Sequence, residues 1–246
     1  MQMTTYGLYS LTPPPTDPPA IMQRADEVNA VLRMLTDKHT SAVILTGTPG
    51  VGKSILAALL YKRVRAAQQA GKSAPKHAVW LRLGTYTTLP DMIAAILQAL
   101  EVIESDFFLL RPEQQISTLL RTLRRPGESA LVVLDQFELL LHPETQHGVA
   151  GRGILQSFLA MLQTELGASR LLLTGYNSPF KESETDDTPA RVRPYLVSRI
   201  SLPEGVTLLQ QQGVQGSPDD LSLLWQRCSG HVFALVLCGA LTRLSG

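Results

Sequence analysis

Apolar positions along the chain change rhythm several times, and each change predicts an element. In "ADEVNAVLRMLTD", Val28, Val31, Leu32 and Leu35 recur at helical spacing and predict an amphipathic helix. "SAVILTG" is a short, uninterrupted, β-branched run, the pattern of a buried strand. "KSILAALLYKRVRAAQQAG" returns to helical periodicity and stops at Gly71. "HAVWLRLG" predicts a second strand, "LPDMIAAILQALEV" a helix opening near Pro90 and Asp91, and "PEQQISTLLRTLRR" a helix ended by "PGE". "ALVVLD" and "SRLLLTG" predict two more buried strands, with the helix "GILQSFLAMLQTELG" between them, and "YLVSRISL" a fifth strand. After Leu202 the strand signals cease. "PEGVTLLQQQG", "SPDDLSLLWQRCSG" and "HVFALVLCGALTRL" predict three helices, with Ser217 and Asp220 spaced as an N-terminal cap.

Strands that alternate with helices pair in parallel through right-handed crossovers, and wholly apolar strands imply a sheet covered on both faces. The fold class expected is α/β followed by a small helical subdomain, without an internal repeat. The proline-rich "LTPPPTDPPA" (Leu11 to Ala20) reads as an extended linker or as a native unfolded end. The expected division is residues 1–20 linker, 21–202 α/β domain and 203–246 helical subdomain.

Composition narrows the function classes. At 246 residues, with 44% hydrophobic and 17% charged, the chain can bury one substantial core. A net charge of +1 leaves no global basic field for nucleic acid, which makes nucleic acid an unfavoured partner. The cluster "RTLRRPGE" is either a solvated helix end or a local docking patch. The two cysteines, Cys228 and Cys238, lack metal-ligand spacing and are expected to be buried thiols in a reduced compartment. No run is long enough to span a membrane and the N-terminus lacks a signal pattern, so the expected location is cytoplasmic.

The chemistry concentrates at Gly47-Thr48-Pro49-Gly50-Val51-Gly52-Lys53-Ser54, which fits G-x-x-x-x-G-K-[ST] between a predicted strand and a predicted helix. A polyphosphate needs many donors without bulk, and backbone N–H groups of a glycine-rich turn supply them. The helix start adds open amides and partial positive charge. Lys53 is expected to reach the β- and γ-phosphates and Ser54 to ligate Mg²⁺, with Asp135, at the end of "ALVVLD", as the metal's acid. Gln136 follows where many ATPases carry a second acid; Glu138 is the next carboxylate, either a base for the attacking water or an exposed helix-start residue. In "RLLLTGYN" (Arg170 to Asn177) a polar residue is placed to sense a γ-phosphate if this strand lies beside the loop strand; otherwise the stretch is a plain strand-to-loop exit. The chain has no guanine-reading N-K-x-D, so adenine is the expected base.

In their order, "IMQRADEV", "GTPGVGKS", "LVVLDQFELLL", "RLLLTGYN" and "CSGHVFAL" resemble the STAND class of signal-transduction ATPases, close to its NB-ARC and NACHT branches, from about Ile21 onward. The resemblance implies a P-loop NTPase of the ASCE/AAA+ kind with strand order 5-1-4-3-2, which puts Thr174 between Lys53 and Asp135. It implies that ATP or ADP with Mg²⁺ is held by Thr48, Pro49, Gly50, Val51, Gly52, Lys53, Ser54 and Ile55. Met22 and Arg24, in a segment usually written G-R-x-x-E, would lie against the adenine, with Gln23 in the glycine's place. "DQFE" makes Asp135 the metal acid and Glu138 the base. In "SGHVFAL", Val232 replaces the proline that packs near adenine, and Tyr176 occupies the place of a γ-phosphate-reading arginine. The implied function is an ATP/ADP switch with slow hydrolysis and nucleotide-controlled self-association, its effector and sensor outside this chain and no winged helix within it. Two rivals are an AAA+-type motor or loader acting on nucleic acid, and a scaffold that ignores nucleotide.

Overall fold

The computed structural model describes residues 24–141, 148–180 and 190–245; the proline-rich segment and Met22 lie outside them. Five strands form one sheet: β1 (Ala42–Thr46), β2 (His77–Arg82), β3 (Ala130–Asp135), β4 (Arg170–Thr174) and β5 (Val192–Leu196). All pairings are parallel, in the order β2-β3-β4-β1-β5, which is the expected 5-1-4-3-2 read from the opposite edge.

Period-two alternation sorts the strand residues onto two faces. Ala42, Ile44, Val132, Leu134, Leu171 and Leu173 face α3 (Leu89–Ala99), α4 (Pro112–Leu123) and α6 (Gly148–Leu162). Val43, Leu45, Leu131, Val133 and Leu172 face α1 (Ala25–Thr36) and α2 (Lys53–Gln69). Helices therefore cover both faces, as the unbroken apolar runs require. Each fully buried Leu, Ile, Val or Phe contributes about 1.5–3 kcal/mol, which is what fixes the strand ends where the chain turns toward solvent.

The fifth strand begins earlier than "YLVSRISL" suggests. It runs through "VRPYL", with Pro194 opposite Ile44. Proline reads as a strand breaker, but on an edge strand its missing N–H costs no ladder bond. β5 is such an edge: Pro194 is exposed and Leu196 is 71% exposed.

Three helices follow: α7 (Leu202–Gln211), α8 (Pro218–Arg227) and α9 (Val232–Ser245), while α5 (Glu138–Leu141) is a single turn after β3. Ser201 with Glu204 and Ser217 with Asp220 form capping boxes that start α7 and α8. The trio buries a cluster of its own, centred on Leu208, Leu209, Leu221, Val232 and Leu235, and Ile55 of α2 packs against it. Cys228 and Cys238 are half-buried rather than buried, and they face each other across the α8–α9 junction with sulfurs 3.6 Å apart. Burial, then the neighbouring thiol, pushes Cys228 up to about 11. The basic cluster is a helix end: α4 stops at Leu123, Arg121, Arg124 and Arg125 are exposed, and Arg124 Nε donates to Glu165 O at 2.6 Å. No helix among the described residues is long and apolar enough to cross a membrane.

Candidate functional site

The site grows out of the β1–α2 junction. Gly50 (φ +78°) and Gly52 (φ +106°) hold left-handed backbone, which any side chain would strain. Space is also absent: a Cβ at Gly50 would stand 2.7 Å from both His231 Cε1 and Phe233 Cβ, and one at Gly52 2.7 Å from Arg24 Nη1. α2 opens without a side-chain cap and without an acid in its first turn, whereas α3, α7 and α8 close their starts with Asp91, Glu204 and Asp220. Its first amides are thus available to an external anion. Thr48, Pro49 and Gly50 lie in the loop, Val51 turns its side chain into the α1–α2 core, and Ile55 faces the trio.

Lys53 is buried, and its Nζ donates to Gly47 O (2.7 Å) and Thr48 O (3.0 Å) with the Tyr176 ring centroid 5.2 Å away. Burial lowers its pKa, opposed by the charges of Glu138 and Asp135. Ser54 Oγ donates to Asp135 Oδ1 at 2.6 Å, and Thr174 Oγ1 donates to the same oxygen at 2.8 Å. β4 lies between β3 and β1, which is how residues 81 and 39 positions from Asp135 in sequence converge on it.

Asp135 Oδ2 is buried without a hydrogen bond, and Arg82 Nε stands 3.9 Å from it. Glu138 opens α5 and likewise leaves Oε2 buried and unbonded. A hydroxyl beside a carboxylate with a spare buried oxygen is a donor set that suits a hard divalent cation such as Mg²⁺, which takes one or two carboxylates and completes its shell with water and phosphate. Among the described residues no cluster of three or more His, Cys, Asp or Glu could cage a metal unaided.

Burial pushes the Glu138 carboxyl up, against the pull of Lys53. A raised acid favours the folded state below its unfolded value and costs stability as pH climbs through the folded value. Glu138→Gln is therefore expected to melt higher than the parent at pH 7 and to match it more closely at pH 4, in paired thermal melts.

The opposite wall comes from the trio. A cavity of about 340 Å³ lies between Lys53, Ser54 and Glu138 on one side and Val232, Phe233 and Val236 on the other. The start of α9 is bonded to the loop: Phe233 N donates to Gly50 O (3.1 Å) and His231 Nε2 donates to Pro49 O (2.7 Å). Arg24, itself left-handed at φ 39°, is buried behind the loop. It donates to Val51 O (3.1 Å) and Ser198 O and pairs with Glu27, whose Oε1 also accepts from Ser198 N (3.2 Å). The Arg24–Glu27 pair thereby joins α1, the loop and the strand-to-helix connection after β5.

Phe233, Val236 and Arg82 also belong to this neighbourhood; Phe233 lies inside "SGHVFAL", where the resemblance gives it no role, and Val236 and Arg82 lie outside every motif. Phe233 and Val236 read as ordinary helix residues; only the docking of α9 brings them here. Arg82 is signalled by register, since it pairs with Asp135 across β2 and β3.

Among curated proteins, a WD repeat-containing protein of Nostoc sp., described as uncharacterized, is 26% identical over 226 residues, covering 89% of this chain. The chain spans 18% of that relative's length. Among solved structures, the Aeropyrum pernix ORC1 protein in complex with DNA superposes with a TM-score of 0.59 at 19% identity, covering 91% of this chain and 61% of that one. A Pyrococcus horikoshii STAND protein with a tetratricopeptide repeat sensor gives 0.54 at 15% identity, covering 85% and 28%. The ADP form of Aeropyrum pernix ORC2 gives 0.53 at 17%, covering 85% and 58%. At such identities these structures speak for the fold alone. A family model for an AAA domain matches residues 36–178, more than half of the chain and every strand from β1 to β4, and this chain belongs to that family of P-loop ATPases.

Proposed function

We propose that the chain is an adenine-nucleotide switch of the STAND type, with an α/β unit of residues 21–202, a helical unit of 203–246 and the nucleotide between them. One observation carries this reading: the first turn of α9 is hydrogen-bonded directly to the loop that would wrap the phosphates. A loop that changes shape with its phosphates then moves α9, and the angle between the units depends on the nucleotide present. Self-association in the ATP state and an effector and sensor elsewhere follow from the STAND resemblance. A cytoplasmic location fits the same reading.

In this scheme the backbone N–H groups of the loop from Thr48 to Ile55, Pro49 having none, grip the phosphates and the Lys53 ammonium reaches the β- and γ-phosphates. Ser54 and Asp135 would hold Mg²⁺, which when bound supplies positive charge to the phosphate oxygens. Glu138, its carboxyl raised by burial, is suited to accept a proton from an attacking water. Val232 presents an apolar contact to the base. Arg24 acts through the Val51 carbonyl, and Met22 would complete the adenine wall.

Amide hydrogen exchange tests the reading. Residues 231–236 are expected to show different protection with Mg-ADP and with a non-hydrolysable Mg-ATP analogue. Identical protection in the two states would remove the switch, whatever the affinities.

The second reading, a loader acting on nucleic acid, is favoured by the likeness to Aeropyrum pernix ORC1 in complex with DNA. Steady-state ATP turnover that rises on adding duplex DNA would select it over the switch.

A further inference from the structure

The STAND resemblance puts Tyr176 in the place of an arginine that would read a third phosphate, and the geometry around it suits a different task. An ammonium has three donors. Lys53 spends two on Gly47 O and Thr48 O and turns toward the Tyr176 ring, whose face attracts cations. The tyrosine is fixed to the same loop from its main chain, since Tyr176 O accepts from Gly47 N at 3.3 Å. It lies on the carboxylate side of the lysine. Thr174, two residues before it, bonds Asp135, and a Cβ on Gly175 would be 3.9 Å from Glu138 Oε2. A third phosphate entering on that side would meet the Glu138 and Asp135 carboxylates, the electron-rich face of a phenol and, among the described residues lining the cavity, one cation, a lysine already engaged by that face. Arg82 Nε stands 3.9 Å from Asp135 Oδ2, and Arg82 is not among the described residues that line the cavity.

Resting on the nucleotide-switch reading, we infer that Tyr176 is a specificity-determining residue that makes this site prefer the nucleoside diphosphate over the triphosphate. Its ring holds the Lys53 ammonium over the loop, within reach of a β-phosphate, and occupies the space a γ-phosphate needs. The triphosphate must draw the ammonium off the ring and displace the phenol; the diphosphate does neither.

The test is calorimetric titration of the full chain with Mg-ADP and Mg-ATP. Wild type is expected to bind ADP roughly tenfold tighter than ATP, the scale of one partly desolvated cation–π contact. Tyr176→Leu and Tyr176→Ser, at a half-exposed position, should bring the two affinities to within about twofold by tightening ATP. Tyr176→Phe keeps the ring and should keep the wild-type ratio. An unmoved ratio in the Leu and Ser variants, a collapsed ratio in Phe, or a wild type that prefers ATP overturns the assignment while leaving the nucleotide site standing. A wild type that binds neither nucleotide overturns both.

Discussion

Lys53→Ala is expected to lose ADP and ATP binding by at least ~100-fold in calorimetry, while its melting temperature stays within a few degrees of the parent. Among the described residues the ammonium is the one cation lining the cavity, on the same wall as Glu138 and under the charges of Glu138 and Asp135. Removing it leaves two carboxylates facing an incoming polyphosphate. Hydrogen bonds to charged groups are worth about 1.5–3 kcal/mol each, and two of them account for roughly two to four decades of affinity. The fold should tolerate the change because burial already disfavours this charge. The loop carbonyls it satisfies belong to Gly47, half-buried, and Thr48, exposed, where water can replace it. An alanine variant that binds either nucleotide as the parent does would show that the loop is not the phosphate grip.

Gly205→Ala is expected to cost ~1–3 kcal/mol, concentrated in the helical trio. A Cβ there would lie 2.1 Å from Trp225 Cδ1 and 2.8 Å from Trp225 Nε1. The indole cannot swing away freely. Its Nε1 donates to Ile200 O (3.2 Å), and Gly230 presses on it from the other side, where a Cβ would be 3.0 Å from the same nitrogen. Displacing the ring breaks that bond and opens the α7–α8 contact. Alanine's better helix propensity returns at most about 1 kcal/mol. Because the trio has its own cluster, the loss should appear as an early thermal transition with red-shifted tryptophan emission. A single transition at the parental temperature would mean that α7 and α8 have room to separate.

Several features of the site were legible before any fold. The loop motif is read from eight consecutive residues because its chemistry is local: backbone amides and a helix start need only the right φ angles, and Gly50 and Gly52 declare them. Asp135 is readable because a carboxylate after a wholly apolar run marks the C-terminal end of a buried strand. Pro194 cannot be read in the same way: its tolerance in a strand depends on β5 being an edge strand, and edge status is a property of the sheet. The half-exposed cysteines follow the same logic, since their burial depends on how α8 meets α9. Arg24 stood in a recognisable segment, yet its bond to Ser198 O joins residues 174 apart, beyond any local pattern.

By itself the sequence determined the alternation of strands and helices, the two-faced burial of the sheet and the location of a phosphate-type loop. All are set by periodicity and backbone chemistry within about 20 residues. Tertiary structure alone decided that α9 closes over that loop through Gly50 and Pro49, that two carboxylate oxygens are left without bonds beside Ser54 and Lys53, and that Tyr176 rests against the lysine. Such contacts arise from strand order and helix docking, in which residues far apart along the chain share a few ångströms of space.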